Sequence, residues 1–289
     1  MTENILTIAT SNMNGLRAAH RKGVSQWVER VMPDIWCLQE TRAPQDAIDP
    51  IVADFAKIYA ADGKNLLNQD EVCRIKGRAG VALMTPLPIL DVRRGLPGLN
   101  EDVDTGRWLE ADIKTSNGAT LTVVCVYVHS GDIADPAKME QKYRFLNAMT
   151  QRLRWFQDRA SEENGVQTAV CGDFNIAHTP RDIKNAKPNE THSGFLPQER
   201  AYMDNWFNSI GLVDTVRTLA GPVQGPYTWW SQRGRAFDHD TGWRLDYQVD
   251  TPKLAAAARS FAIDKADSYA SRWSDHAPLT ISYDLQALR

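Results

Sequence analysis

In the run Val170-Cys171-Gly172-Asp173-Phe174-Asn175 an apolar segment delivers a carboxylate and a carboxamide two residues apart. Side chains at i and i+2 of a strand point to one face, so Asp173 and Asn175 can converge on a single ligand. The carboxylate can accept a proton or orient a water, and the carboxamide can donate to a charged oxygen. That chemistry suits the opening of a phosphodiester. Similar apolar-to-polar transitions recur at Ser11-Asn12-Met13-Asn14-Gly15, Leu38-Gln39-Glu40-Thr41, Tyr127-Val128-His129-Ser130-Gly131, Arg244-Leu245-Asp246 and Ser274-Asp275-His276-Ala277-Pro278. Each alone is equally a turn or a cap. Together they supply the donors that a metal and a phosphate require.

A phosphodiester is anionic and repels nucleophiles, and water near neutral pH is a poor one. A hard divalent cation held by carboxylate and amide oxygens neutralises the phosphate and acidifies water. Glu40, Asn14 and Asp275 carry suitable oxygens for Mg²⁺, with Mn²⁺ as a substitute. Asn175, Tyr127 and a protonated His276 would stabilise charge growing on the phosphate oxygens. Asp246 could pair with His276 and hold it charged. Asp173, with an unperturbed pKa of about 4, is a weak base unless the site raises that value or the water is polarised.

These residues must be carried on strands. Strand-like runs lie at 5–11, 34–39, 79–84, 108–113, 121–128, 168–174, 245–249 and 279–283. Helical spacing appears at 24–31, at 138–159 (Tyr143, Phe145, Leu146, Met149, Leu153, Phe156) and at about 197–210, opened by Pro197. Between Asp54 and Ile133 the strands follow one another without room for crossover helices, which favours antiparallel pairing. Two sheets packed face to face with helices outside satisfy this pattern. No linker or internal repeat divides the chain, so residues 1–289 are expected to form a single catalytic domain.

With 289 residues, 43% hydrophobic and 24% charged, the chain is of ordinary globular composition. No apolar run is long enough to span a membrane, and Met1–Asn4 lacks the features of a signal peptide. Cys37, Cys73, Cys125 and Cys171 show no paired spacing, which argues against zinc and for a reducing cytoplasm. The net charge of −3 argues against a generic polyanion binder and leaves nucleic acid open. Basic clusters at Arg17–Lys22, Arg74–Arg78, Arg93-Arg94 and Arg233–Arg235 are either solvated loops or local phosphate contacts.

The blocks Asn12-Met13-Asn14-Gly15-Leu16-Arg17, Leu38-Gln39-Glu40-Thr41, Gly172-Asp173-Phe174-Asn175-Ile176-Ala177-His178, Trp243-Arg244-Leu245-Asp246-Tyr247 and Ser274-Asp275-His276-Ala277-Pro278 resemble those of the exonuclease III family. These are apurinic/apyrimidinic endonucleases within the endonuclease/exonuclease/phosphatase superfamily, and the resemblance runs from about Ile5 to Asp284. It implies a four-layered α/β sandwich with two central, mostly antiparallel sheets. It also implies Mg²⁺-dependent incision on the 5′ side of abasic sites in duplex DNA. A 3′→5′ exonuclease and a 3′-phosphatase or phosphodiesterase at 3′ ends often accompany that activity.

By the same resemblance Glu40 is the principal metal ligand, with Asn14 and Asp275 completing or supporting the site. Asp173 orients or deprotonates the water, while Asn12, Tyr127, Asn175 and His276 bind phosphate and Asp246 partners the histidine. Trp229, Trp243 and Leu245 form an apolar pocket for a flipped-out, baseless sugar, and Arg233 touches DNA. Trp230 is expected in the core, and Lys184, Asn185 and Lys187 are weaker candidates for phosphate contact. Many relatives carry Pro-Asn after the tyrosine, where this chain has Val128-His129-Ser130. Ser130 is then the shorter phosphate donor, with His129 available to compensate. The expected partner is double-stranded DNA bound by a monomer, with no membrane.

Overall fold

Alternating side chains on the central strands sort into an inner and an outer row, and the inner rows build the middle of the molecule. The computed structural model describes residues 4–99 and 105–288; Met1 to Glu3, part of the segment expected to hold no leader, lie outside the described residues. In strand β1 (Ile5–Asn12), Leu6 and Ile8 face inward, as do Ile35 and Cys37 of β2 (Ile35–Gln39). They meet Leu121, Val123 and Cys125 of β7 (Thr120–Tyr127) and Ala169 and Cys171 of β8 (Gln167–Asp173). The remaining strands are β3 (Leu67–Glu71), β4 (Val81–Thr85), β5 (Ile89–Arg94), β6 (Trp108–Lys114), β9 (Val213–Asp214), β10 (Trp229–Trp230), β11 (Gly242–Trp243), β12 (Asp246–Asp250), β13 (Ala258–Ile263) and β14 (Leu279–Asp284).

One six-stranded sheet has the order β13-β14-β1-β2-β4-β3 and the other β5-β6-β7-β8-β12-β9, with β10 and β11 a separate pair. Pairing is antiparallel except between β1 and β2 and between β7 and β8. A parallel neighbour requires a crossover. Helices α1 (Leu16–Arg21) and α2 (Val24–Val31) provide the first, and α4 (Pro136–Ala160) the second. With α3 (Gln45–Ala61), α1 and α2 cover the outer face of the first sheet, packing Leu16, Trp27, Phe55 and Tyr59 around Trp36 of β2. Phe145, Leu146, Met149, Leu153 and Phe156 of α4 cover the second sheet. The short helices are α5 (Ala186–Asn189), α6 (Pro197–Asp204, continued by a π-helical turn Asn205–Ile210), α7 (Thr215–Ala220) and α8 (Pro252–Ala257).

The expected four-layered α/β sandwich is therefore the observed fold. Sequence patterning missed helices α1, α3, α5, α7 and α8 and strands β3, β5, β9, β10, β11 and β13. Helix α3 contains Pro50, which removes a backbone donor and obscures the spacing of Ile48, Ile51, Phe55 and Tyr59. Strands β3 and β5 are partly exposed and half or more polar, and β13 is partly exposed with its apolar residues broken by Arg259 and Ser260, so none shows a long apolar run.

Candidate active site

The inner rows turn polar at one end. Leu6, Ile8 and Thr10 lead to Asn12; Leu121, Val123 and Cys125 lead to Tyr127; Ala169 and Cys171 lead to Asp173. Strand register sets Asp173 directly beside Tyr127 on one side and Asp246 on the other. Gly172 permits this close pairing, since a Cβ there would collide with the Val126 carbonyl oxygen.

Asn12 spans the two sheets. Its Nδ2 donates to Glu40 Oε1 and to Asp173 Oδ2, each at 2.8 Å. Its Oδ1 accepts from the Asn14 backbone N–H at 2.9 Å. Three non-glycine residues at the strand ends have left-handed backbones: Asn14 (φ 45°), Glu40 (φ 53°) and Asn175 (φ 50°). Such strain persists where surrounding contacts impose it. Here Asn175 N–H donates to Asp173 Oδ1 and Asn175 Nδ2 to Val128 O, both at 2.8 Å.

His276 completes the far side. Its Nδ1 lies 2.8 Å from Asp246 Oδ2 and its Nε2 3.8 Å from Asp173 Oδ2. Burial disfavours the charged imidazole, but Asp246, Asp173 and Asp275 outweigh it and push the pKa to about 10. Burial pushes Asp173 up to about 7; His276 opposes this, and Asp246 and Glu40 add to it. The Tyr127 phenol is pushed well up by burial and by Glu40 and Asp173, so it remains a donor. Burial also works against the charge of Asp275, yet His276, Trp229 and Asn14 hold its carboxyl below the usual range.

These groups line a cleft of about 480 Å³, with Asn14, Glu40, Tyr127, Asp173, Asn175, Asp275 and His276 on its floor. Trp229, Trp243 and Leu245 form an apolar wall. The two indoles meet edge to face at 6.1 Å, and Leu245 packs with Ala177, Ile183 and Phe195. Trp229 Nε1 also donates to Asp275 Oδ2 at 3.2 Å, which joins the wall to the polar floor. Ser130 lies on the rim. Trp230 is buried, as expected, and packs on Phe237.

Some candidates stand elsewhere. Arg233 is exposed and does not line the cleft, nor do the exposed Lys184, Asn185 and Lys187. The His129 ring is buried edge-on against Phe145 and borders an adjoining cleft of about 400 Å³. That second cleft also receives Arg42, Arg78, Arg107 and Lys138. Arg93 is tied to Glu110 and Asp112.

Arg42 is a site residue that the motif reading missed. Its Nη1 donates to Asn14 Oδ1 at 2.7 Å while its Nη2 presses on Glu40 Oε2. Arg107, also missed, lies over the Tyr127 ring at 4.7 Å. The only signal for Arg42 was its position two residues beyond Glu40; Arg107 carried none.

Comparison with known proteins bears on the family and the fold. The model of the Endonuclease/Exonuclease/phosphatase family matches residues 9–276. The chain is 29% identical to an exodeoxyribonuclease of Bacillus subtilis over 93% of its own length and 96% of that protein. It is also 29% identical to recombination repair protein 1 of Drosophila melanogaster, of which it spans 37%. Among solved structures, the 3′ phosphatase NExo from Neisseria bound to a product DNA hairpin superposes with a TM-score of 0.82. That pair shares 27% identity and covers 96% of this chain and 99% of the other. An AP endonuclease from Archaeoglobus fulgidus gives 0.78 at 26% identity, with 96% and 99% covered. The chain belongs to the Endonuclease/Exonuclease/phosphatase family, and within it is similar to exodeoxyribonuclease III and the AP endonucleases.

Proposed function

We propose that this protein is a Mg²⁺-dependent DNA repair nuclease that cleaves duplex DNA on the 5′ side of an abasic site and leaves a 3′-hydroxyl. At 3′ ends it acts as a 3′→5′ exonuclease and 3′-phosphatase or phosphodiesterase. It works in base excision repair as a cytoplasmic monomer, a single catalytic domain over residues 1–289. Among the described residues no helix is long and apolar enough to cross a membrane. The observation that carries the reading is the link Glu40–Asn12–Asp173, backed by Asp246–His276, beside an apolar wall of Trp229, Trp243 and Leu245.

The donor set fits a hard cation. Glu40 Oε2 is a buried oxygen without a well-formed hydrogen bond, and the Arg42 guanidinium already bridges it to Asn14 Oδ1. Glu40 and Asn14 would hold Mg²⁺ or Mn²⁺, while Asp275, whose Oδ1 accepts from Asn14 Nδ2 at 2.8 Å, orients the asparagine. When bound, the cation would neutralise phosphate charge and acidify water.

Asp173 and His276 divide the proton work because their surroundings drive their pKa values apart. Asp173, with a pKa of about 7, takes a proton from the attacking water. His276, kept charged by Asp246, donates to a non-bridging phosphate oxygen, as do Tyr127 and the Asn175 carboxamide. Asn12 holds Asp173 in place. The aromatic wall receives a sugar without a base, whose extrusion costs least where stacking is already lost. Ser130 and Arg233 are assigned to DNA contact at the rim and outside it.

Strand incision on a duplex with one abasic site, run with and without Mg²⁺ and with 3′-end analysis, tests the proposal. Equal rates on damaged and intact duplex would remove it. The likeness to the Neisserial 3′ phosphatase supports the accompanying 3′-end activities. A 3′-phosphorylated duplex assayed in parallel measures their share.

A further inference from the structure

Helix α4 carries a lysine where its pattern calls for a hydrophobe. Lys142 shares the inward stripe of Phe145, Leu146, Met149, Leu153 and Phe156, and neither its side chain nor that of Glu199 on α6 is exposed. The Lys142 ammonium donates to Glu199 Oε1 at 2.6 Å and to the carbonyl oxygens of Ser130 and Asn175, both at 3.0 Å. All its donors are thereby used. Glu199 Oε1 also accepts from the Ser193 hydroxyl at 3.1 Å. Glu199 Oε2 accepts from the backbone N–H groups of Gly194 at 2.6 Å and Leu196 at 3.0 Å.

One ion pair therefore grips the loop after β7, the loop after β8 and the loop before α6. Each contributes to the cleft: Ser130 and Gly131 from the first, Asn175 from the second, Ser193 and Gly194 from the third. Lys142 holds the carbonyl of Asn175, whose backbone is left-handed. A Cβ added at Gly194 would lie 3.2 Å from Asn175 O and 3.2 Å from the Trp243 ring, so this glycine touches both halves of the site. Stability is a poor explanation for the pair. Replacing a buried ion pair with apolar side chains is often neutral or stabilising, whereas deleting one partner is strongly destabilising.

We propose that Lys142 and Glu199 are positioning residues that lock the phosphate-binding Asn175 to the pocket wall at Gly194 and Trp243, so that a phosphate and the sugar beside it are seated together. Neither residue touches substrate; both act through Ser130, Asn175 and Gly194. The inference rests on the function proposed above. Wild-type incision of an abasic duplex is the separate control for that function. If wild type releases phosphate from a 3′-phosphorylated duplex but does not incise, the nuclease reading fails and the variants are compared on that substrate.

The test sets Lys142→Met/Glu199→Leu against wild type. The expected result is a melting temperature within a few degrees of wild type, kcat lower by about ten- to a hundredfold, little change in KM, and weaker preference for abasic over intact duplex. Recovery of both melting temperature and kcat overturns the proposal. Glu199→Gln, which keeps the shape, decides the matter if the double variant does not fold. Faster amide exchange at Gly194 and Leu196, together with a lower kcat, supports the proposal. An unchanged kcat overturns it whatever the exchange shows.

Discussion

Asp173 and Asp250 sit at opposite ends of one β-ladder, where β8 and β12 pair, and burial pushes each up to about 7. Asp173 opens into the cleft, receives the Asn12 amide and faces His276. Asp250 is sealed in the core, where Thr215 and Tyr283 donate hydroxyls to its Oδ2 and its Oδ1 has no hydrogen-bond partner. A carboxylate pKa near neutrality is therefore no catalytic signature. Access and a positive partner separate the reactive end of the ladder from the structural end.

The comparison breaks most sharply at Asp173. Asp173→Asn is expected to lower turnover on abasic duplex by about 10²–10⁴-fold while DNA affinity stays within about tenfold. Single-turnover incision and fluorescence anisotropy measure the two effects. Unchanged turnover would show that another group handles the water.

Asp250→Asn should do the reverse. The folded-state pKa of Asp250, about 7, lies above the ordinary carboxylate value, so the native state binds its proton more tightly than the unfolded chain. The resulting stabilisation is complete below about pH 4 and is lost as pH rises through 7. The variant escapes that loss. It should be more stable than wild type by on the order of 4 kcal/mol at pH 8, with the gap closing towards pH 4, and its turnover should be unaltered. Urea denaturation at both pH values measures this, and a gap independent of pH would contradict the assignment.

Asp246→Asn sharpens the contrast by removing the carboxylate that keeps the positive partner, His276, charged at the reactive end. Without that carboxylate the imidazole pKa falls, so the alkaline limb of the pH–rate profile should move to lower pH. Turnover at neutral pH should drop by about ten- to a hundredfold. A limb that stays in place would assign it to a group other than His276.

Trp243→Ala is the mildest change. It should reduce the preference for abasic over intact duplex by about tenfold and leave the dependence on Mg²⁺ concentration as it was. Competition between the two duplexes in one reaction reads the ratio directly. An intact preference would show that Trp243 does not shape the sugar pocket.

Much of this arrangement is legible in the sequence. The apolar runs ending at Asn12, Gln39, Tyr127 and Asp173 announced both the strands and the residues they present. Polar edge strands such as Leu67–Glu71 were not legible, because half-exposed backbone imposes little alternation. Arg233, in the loop after Trp230, is exposed and lies off the cleft, a placement that its position in the sequence did not convey. Arg42, Lys142 and Glu199 were overlooked because their partners are fixed by folding. Lys142 and Glu199, for example, are 57 residues apart.

The sequence by itself determined which side chains reach the end of the inter-sheet core, since alternation along a strand is a property of neighbouring residues. The tertiary structure decided what those side chains became. Asn12 and Asp173 stand 161 residues apart and meet only because two sheets pack face to face. The pKa of Asp173 near 7 and the lasting charge of His276 arise from the water that this packing removes and the carboxylates it gathers. Desolvation and charge proximity belong to the assembled fold, and no local pattern of residues encodes them.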